Sequence, residues 1–286
     1  MKSYPVATVE IPSGETIAYR RTGAGERTVL LIHGNMSSSV HWQTTMEALE
    51  DTFSVWAPDL RGMGDSSYNR PFDSLGELAE DVGEFMDAVG IGTCAVVGWS
   101  TGGGVAMELA AARPGQVTGL VLLDSVPPTG YPIFAKDATG APILTQLLTT
   151  KAEVAADPVQ VVPALTMLAT GNTAAMKAIW EATIYNRHVP EPAEYDAYIA
   201  ATMQQRNLVD LDYGLLTFNI TGRIADITCP VTVMNGELDI VVPLAWAQQT
   251  AAAFDAPLVT FAASGHSPIT DQPDEFFPAL REALAR

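Results

Sequence analysis

Hydrophobic and polar positions along the chain follow two kinds of period, and together they predict a sheet covered by helices. Residues 6–11 and 15–21 alternate apolar and polar side chains around a Pro-Ser-Gly turn, which predicts two antiparallel strands. Short apolar runs predict further, buried strands at 29–32, 53–56, 95–97, 119–124, 231–234 and 258–262. Apolar residues at helical spacing predict helices at 40–49, 75–89, 101–113, 244–254 and 274–285. This alternation predicts the α/β class, with a parallel, doubly wound sheet.

The alternation of strand and helix stops in the middle of the chain. Between residues 126 and 222 no strand is predicted, and prolines and glycines separate the helical patterns 142–150, 158–170, 173–187, 192–205 and 207–218. The sheet resumes only afterwards. We therefore predict one core domain made of residues 1–125 and 223–286, with a helical lid, residues 126–222, inserted between two of its strands.

One motif follows a predicted strand and opens a predicted helix. Residues 98–102 read Gly-Trp-Ser-Thr-Gly, which fits the G-x-S-x-G pattern of a strained strand-to-helix turn. Glycine is needed on both sides of the serine because the strand and the helix pass too closely for a Cβ atom. The turn lifts the hydroxyl of Ser100 above the sheet edge, beside the positive end of the helix. Ser100 is the predicted nucleophile.

A serine nucleophile needs a base, and the base needs a carboxylate that orients it. Of the four histidines, only His266 follows the serine in a loop after the last predicted strand, so it is the predicted base; the others are His33, His41 and His188. Asp239 comes shortly after the strand 231–234 and is the expected acid. Asp124 ends the strand 119–124 at the same sheet edge and remains the alternative.

Acyl transfer also needs donors for the developing oxyanion and a pocket for the substrate. The backbone N–H of Thr101, directly after the nucleophile, is one expected donor. The second is expected from the loop after the strand 29–32, from the N–H of Asn35 or, as a close alternative, of Met36. The side chains of Met36 and Trp99 are expected to line the substrate pocket, although Trp99 equally fits core packing.

The composition argues against nucleic acids and membranes as partners, and a small-molecule substrate remains the expected one. The net charge is −18, from 33 acidic and 15 basic residues, and such a surface repels nucleic acids and anionic membranes. No apolar run is long enough to span a membrane, and the first residues lack a secretory segment, which predicts a cytoplasmic protein. Cys94 and Cys229 show no metal-ligand spacing, so we expect free thiols and no bound metal.

Five motifs in order resemble those of the α/β-hydrolase superfamily: His33-Gly34, the loop Asp59–Ser66, Gly98–Gly103, Gly236–Asp239 and Gly265-His266. The resemblance covers nearly the whole chain except the predicted lid. It implies an eight-stranded, mostly parallel sheet, a helical cap after the sixth strand and a serine mechanism without cofactor.

Single residues separate the branches of this superfamily. His33-Gly34-Asn35 before a serine run resembles haloalkane dehalogenases, but those use an aspartate where this chain has Ser100. Ser100-Thr-Gly-Gly-Gly104 resembles cofactor-free haloperoxidases, and the motifs together are similar to intracellular polyhydroxybutyrate depolymerases of bacilli. We expect a carboxylic ester hydrolase that favours apolar acyl groups, with polyhydroxybutyrate-type esters among the candidates. A haloperoxidase or perhydrolase, and a ligand receptor that kept the scaffold without catalysis, are the alternatives.

Overall fold

The computed structural model describes residues 2–286, and its regular elements alternate as predicted at both ends of the chain. In chain order they are β1 (Ala7–Glu10), β2 (Thr16–Thr22), β3 (Arg27–Ile32), a 3₁₀ turn (Ser39–Trp42), α1 (Gln43–Leu49), β4 (Phe53–Pro58), α2 (Leu75–Val89), β5 (Cys94–Trp99), α3 (Thr101–Ala112), β6 (Val117–Leu123), β7 (Phe134–Lys136), β8 (Pro142–Leu147), α4 (Lys151–Ala155), α5 (Val161–Thr170), α6 (Thr173–Ala182), α7 (Pro192–Thr202), α8 (Leu208–Thr217), a second 3₁₀ turn (Thr221–Asp226), β9 (Val231–Gly236), α9 (Leu244–Phe254), β10 (Leu258–Phe261), α10 (Pro268–Asp271) and α11 (Pro273–Ala285).

Eight of the strands form one sheet in the order β1-β2-β4-β3-β5-β6-β9-β10. The pairs β1–β2 and β2–β4 are antiparallel, and every other neighbouring pair in this sheet is parallel. The structure thus confirms the eight-stranded, mostly parallel sheet of the α/β class. The six parallel strands β4, β3, β5, β6, β9 and β10 end at one edge, where the loops after β3, β5, β6, β9 and β10 meet.

Two hydrophobic clusters cover the two faces of the sheet. Alternate residues of the central strands divide between them, so that Leu30 and Val96 belong to one cluster while Val29 and Val97 belong to the other. This division follows from the two-residue period of a strand. No helix among residues 2–286 combines the length and the apolar character needed to cross a membrane.

The segment between β6 and β9 differs from its prediction at one point. The predicted helix 142–150 is wrong, as is the absence of strands from this segment, because β7 and β8 pair there as an antiparallel hairpin. The hairpin turn is stabilised by Asp137, whose Oδ1 accepts hydrogen bonds from the backbone N–H groups of Thr139 and Ala141. The run 142–147 is too short for its hydrophobic pattern to distinguish the period of a helix from that of a strand. Its conformation is therefore determined by the adjacent turn.

Candidate active site

The chain turns sharply at Ser100, between β5 and α3. Ser100 has φ 57° and ψ −122°, a conformation that few residues other than glycine adopt. It is partly exposed, whereas β5 before it is buried along its whole length. The glycines on either side of Ser100 are required because a side chain at these positions would clash with the backbone. A Cβ on Gly98 would lie 2.4 Å from the carbonyl oxygen of Gly102, and a Cβ on Gly102 would lie 2.3 Å from the carbonyl oxygen of Ile32.

This close packing gives a stability prediction. Gly102→Ala forces the added methyl group against backbone, which cannot move without shifting β3, so we expect the free energy of unfolding to fall by about 3 kcal/mol. The matched control is Gly115→Ala, since a Cβ there has no heavy atom within 4 Å. Its unfolding free energy should change by less than about 1 kcal/mol. Urea denaturation of the two variants beside the wild type measures both, and equal stabilities would contradict the packing argument.

His266 and Asp239 form a buried hydrogen-bonded pair at the same edge. His266 Nδ1 lies 2.7 Å from Asp239 Oδ2. The other oxygen of Asp239 accepts hydrogen bonds from the backbone N–H groups of Val241 and Val242, at 2.7 and 2.9 Å. With Nδ1 donating its proton to the carboxylate, Nε2 of His266 is left as a proton acceptor. The pair has the arrangement of a general base and the carboxylate that orients it.

The loop that carries His266 is held from two sides. Trp99 Nε1, beside Ser100, donates to the carbonyl oxygen of His266 at 3.0 Å. Asp271 Oδ2 accepts from the backbone N–H of Gly265 and from the hydroxyl of Ser264, at 2.8 and 3.1 Å. These contacts fix the imidazole relative to the end of β5.

Asp124 is a third carboxyl in the same cluster. One potential ligand atom from each of Asp124, Asp239 and His266 lies within 4.8 Å of the others. Asp124 Oδ1 accepts from the N–H of Gly236 at 2.9 Å, and no hydrogen-bond partner of its Oδ2 is found among the described residues. Complete burial, reinforced by the negative charge of Asp239, raises the pKa of Asp124 well above its ordinary value. Burial therefore disfavours the charged form of Asp124, which is the form that binds metal ions.

The three other histidines lie elsewhere. His33 is fully buried, and its Nε2 accepts from the N–H of Leu60 at 2.9 Å, which links the loop after β3 to the loop Asp59–Ser66. His41 is buried against the rings of Trp180 and Tyr198. His188 is largely exposed.

The N–H groups expected to bind the oxyanion lie on both sides of Ser100. Neither the N–H of Asn35 nor that of Thr101 forms a hydrogen bond with another described residue. The N–H of Met36, the alternative donor, is engaged by Asn35 Oδ1 at 2.8 Å. Met36 itself adopts φ 54°, a left-handed conformation that residues other than glycine rarely adopt. The free donors are therefore those of Asn35 and Thr101.

A cleft with two lobes opens at Ser100. The His266 lobe, about 330 Å³, is lined on its own side by Gly34, Trp99, Trp180, Ile184, Ile240 and His266. The Asp212 lobe, about 380 Å³, is lined on its own side by Thr101, Val126, Ile133, Val159, Ala164, Leu208, Asp212, Leu215 and Val242. Both lobes share Asn35, Met36, Ser100, Tyr131, Gln160, Ile179, Thr183 and Val241. Met36 lines both lobes, and Trp99 lines the His266 lobe.

Sequence reasoning missed the lining residues that come from the segment between β6 and β9. Gln160, Ile179, Thr183 and Asp212 all reach the cleft. Their spacing is that of ordinary amphipathic helices and loops, and no motif marks them. Only the folding of α5, α6 and α8 over the sheet edge brings them to Ser100.

Comparison with known proteins agrees with this architecture. The model of the alpha/beta hydrolase family matches residues 29–279. A putative carbamate hydrolase, RutD of Caulobacter vibrioides, is 28% identical over 259 residues, which are 90% of this chain and 90% of that protein. A pimeloyl-[acyl-carrier protein] methyl ester esterase of Nitrosomonas europaea is 27% identical over 268 residues, covering 91% and 96% of the two chains.

A more similar but shorter match involves the dihydrolipoyllysine-residue acetyltransferase component of an acetoin cleaving system from Cupriavidus necator. It is 39% identical over 124 residues, which are 43% of this chain and 32% of that protein. This match therefore spans about a third of its relative. Since the family model covers most of the residues, the chain belongs to the alpha/beta hydrolase family.

Proposed function

We propose that this hydrolase cleaves carboxylic esters through an acyl-enzyme on Ser100. The observation that carries the proposal is the buried 2.7 Å hydrogen bond between His266 and Asp239 at the sheet edge where Ser100 is partly exposed. One of the full-length relatives is named as a methyl ester esterase, which points to the same reaction.

The reaction has two half-reactions. His266 Nε2 takes the proton of the Ser100 hydroxyl as the oxygen attacks the ester carbonyl, and the N–H groups of Asn35 and Thr101 stabilise the oxyanion. The C–O bond to the alcohol breaks, and the alcohol leaves with the proton from His266. Water then attacks the acyl-enzyme with the same base, which releases the acid and restores Ser100. Asp239 stabilises the charged imidazole in both halves.

The lining of the cleft indicates an uncharged substrate. Most of its side chains are apolar, and no Lys or Arg among the described residues lines either lobe. A carboxylate on the substrate would lose its hydration without gaining a cation. Residues 126–222 supply Ile133, Ile179 and Leu208 to the cleft, so we propose that they act as the lid of a core formed by residues 1–125 and 223–286.

A matched pair of esters tests the reaction and the charge preference together. We expect hydrolysis of p-nitrophenyl esters between acetate and decanoate, and a kcat/KM for the butyrate at least about 100-fold above that for the succinate half-ester, whose terminal carboxylate enters an apolar lobe. Equal rates for the two esters would contradict the proposed lining of the acyl site.

Covalent labelling of the nucleophile distinguishes ester hydrolysis from the alternatives. A p-nitrophenyl alkylphosphonate should lose p-nitrophenolate as Ser100 attacks the phosphorus, which leaves the phosphonyl group on the tryptic peptide that contains Ser100 and on no other peptide. Absence of both labelling and ester turnover would favour a receptor. Faster oxidation of bromide in acetate and peroxide than hydrolysis of any ester would favour a perhydrolase, and turnover of aryl carbamates but not esters would favour the reaction named for the RutD relative.

A further inference from the structure

Asp212 is the one carboxylate that lines the Asp212 lobe among the described residues. It lies on α8, and the Nδ2 group of Asn35 donates to its Oδ1 at 2.9 Å. Its other oxygen, Oδ2, has no hydrogen-bond partner within residues 2–286, and no Lys or Arg lines the lobe. A polar atom is thus left without a partner in a mostly apolar lobe next to Ser100. An isolated polar group in an apolar pocket is the arrangement by which proteins fix the orientation of a ligand.

The hydrogen bonds of Asn35 give Asp212 a fixed position. Asn35 Oδ1 accepts from the N–H of Met36 and from Gln205 Nε2, each at 2.8 Å, and this orients Nδ2 toward Asp212. Gln205 is held in turn by Asn207 Oδ1 at 2.9 Å. Because these bonds tie the carboxyl to the loop that carries the oxyanion donor, Asp212 keeps a constant position relative to the reacting carbonyl.

The mechanism decides which part of an ester reaches Asp212. The departing alcohol must receive its proton from His266, so it lies in the His266 lobe. The acyl group then extends into the Asp212 lobe, which is lined by Thr101, one of the two oxyanion donors. A group that contacts Asp212 therefore belongs to the acyl chain.

We propose that Asp212 is a specificity-determining residue that binds a hydroxyl group on the acyl chain, so that the preferred substrates are esters of hydroxy acids. The proposal rests on the ester hydrolysis proposed above and names the substrate class of that site. The carboxyl offers a hydrogen bond to a hydroxyl in either protonation state, because a hydroxyl both donates and accepts.

A hydroxyl fits this position better than an ammonium group. Burial, only partly opposed by the hydrogen bond from Asn35, raises the pKa of Asp212 to about 7, so the carboxyl holds its proton in a large fraction of molecules at neutral pH. A cation would need the full negative charge and would lose its own hydration in an apolar lobe. A neutral hydroxyl does not require a full negative charge on Asp212, and it has no ionic hydration to lose.

The test is a ratio of kcat/KM values for matched esters. The substrates are the methyl esters of 3-hydroxybutanoate, 3-hydroxyhexanoate and 6-hydroxyhexanoate, each beside its deoxy counterpart, with methyl 3-aminobutanoate as the cationic analogue. In the wild type, at least one hydroxy ester should exceed its deoxy counterpart by roughly 10- to 100-fold. Asp212→Asn, which keeps a donor, an acceptor and the contact to Asn35, should retain that ratio within about threefold. Asp212→Leu should bring it close to one.

The ratio separates recognition from a structural role. If Asp212 only supports the loop at Asn35, each substitution lowers the rates of both esters alike and leaves their ratio unchanged, which overturns the proposal. A wild-type ratio near one for all pairs, or a preference for the amino ester, also overturns it while leaving ester hydrolysis intact. Failure to hydrolyse any ester overturns ester hydrolysis and this proposal together.

Discussion

Replacing Ser100 by alanine should lower kcat/KM for p-nitrophenyl butyrate by roughly 10⁴- to 10⁶-fold. The change removes only the hydroxyl oxygen that we propose to attack the carbonyl. In the variant, a water molecule from bulk solvent would have to attack the carbonyl instead, without the orientation that the turn between β5 and α3 gives to the Ser100 hydroxyl. Alanine keeps the Cβ atom in the same φ 57° conformation, so the free energy of unfolding should change by less than about 1 kcal/mol.

The matched control for this variant is Ser125→Ala. Ser125 also follows the end of a central strand, but it is buried, and its hydroxyl donates to the carbonyl oxygen of Val126 at 2.9 Å. It does not line either lobe of the cleft. Loss of the Ser125 hydroxyl should lower the free energy of unfolding by about 1 kcal/mol and leave kcat/KM within a few-fold of the wild type. A Ser100→Ala protein that folds and hydrolyses the ester at a rate within tenfold of the wild type would exclude Ser100 as the nucleophile.

The sheet was predictable because its strands and helices carry their information locally. The apolar run of β5, the glycines at 98 and 102 and the helical spacing of α2 each reflect a constraint that acts within a few residues. The sequence motifs that mark the ends of the strands are local in the same way. For this reason Ser100, Asp239 and His266 could be assigned to one sheet edge before any distance was known.

The interior of the cleft was not predictable in the same way. Asp212 looks like one more polar position of an amphipathic helix, and only its 2.9 Å contact with Asn35, 177 residues earlier, gives it a place beside Ser100. The hairpin at β7 and β8 was missed because a six-residue run fits either period. Contacts between distant segments decide both features, and no local pattern encodes them.

The choice between Asp239 and Asp124 as the acid that orients His266 also depends on such contacts. Both follow central strands, so position alone leaves two candidates. The structure gives the hydrogen bond from His266 to Asp239 and leaves Asp124 buried with a raised pKa, bonded to the N–H of Gly236. Asp239 is therefore placed to stabilise a charged imidazole, whereas burial disfavours the charged form of Asp124.

Because Asp239 and Asp124 have different surroundings, the same Asp-to-Asn substitution should lower kcat strongly at Asp239 and only slightly at Asp124. In Asp239→Asn, the N–H groups of Val241 and Val242 hold the amide oxygen, which turns the NH₂ group toward His266 Nδ1. That forces the proton onto Nε2, where it blocks the base, so kcat should fall by about 10⁴-fold. In Asp124→Asn, the amide has the same shape and keeps an acceptor for the N–H of Gly236, and His266 keeps its bond to Asp239, so kcat should stay within about tenfold.

Steady-state kinetics of the two variants on one ester measures the contrast, and thermal unfolding shows whether each is folded. The two substitutions are chemically identical and lie in the same buried cluster, so a general disturbance of the sheet edge would lower both rates alike. A larger loss in Asp124→Asn than in Asp239→Asn would assign the orienting role to Asp124. That result would require His266 to change partners during turnover, because its resting hydrogen bond is to Asp239.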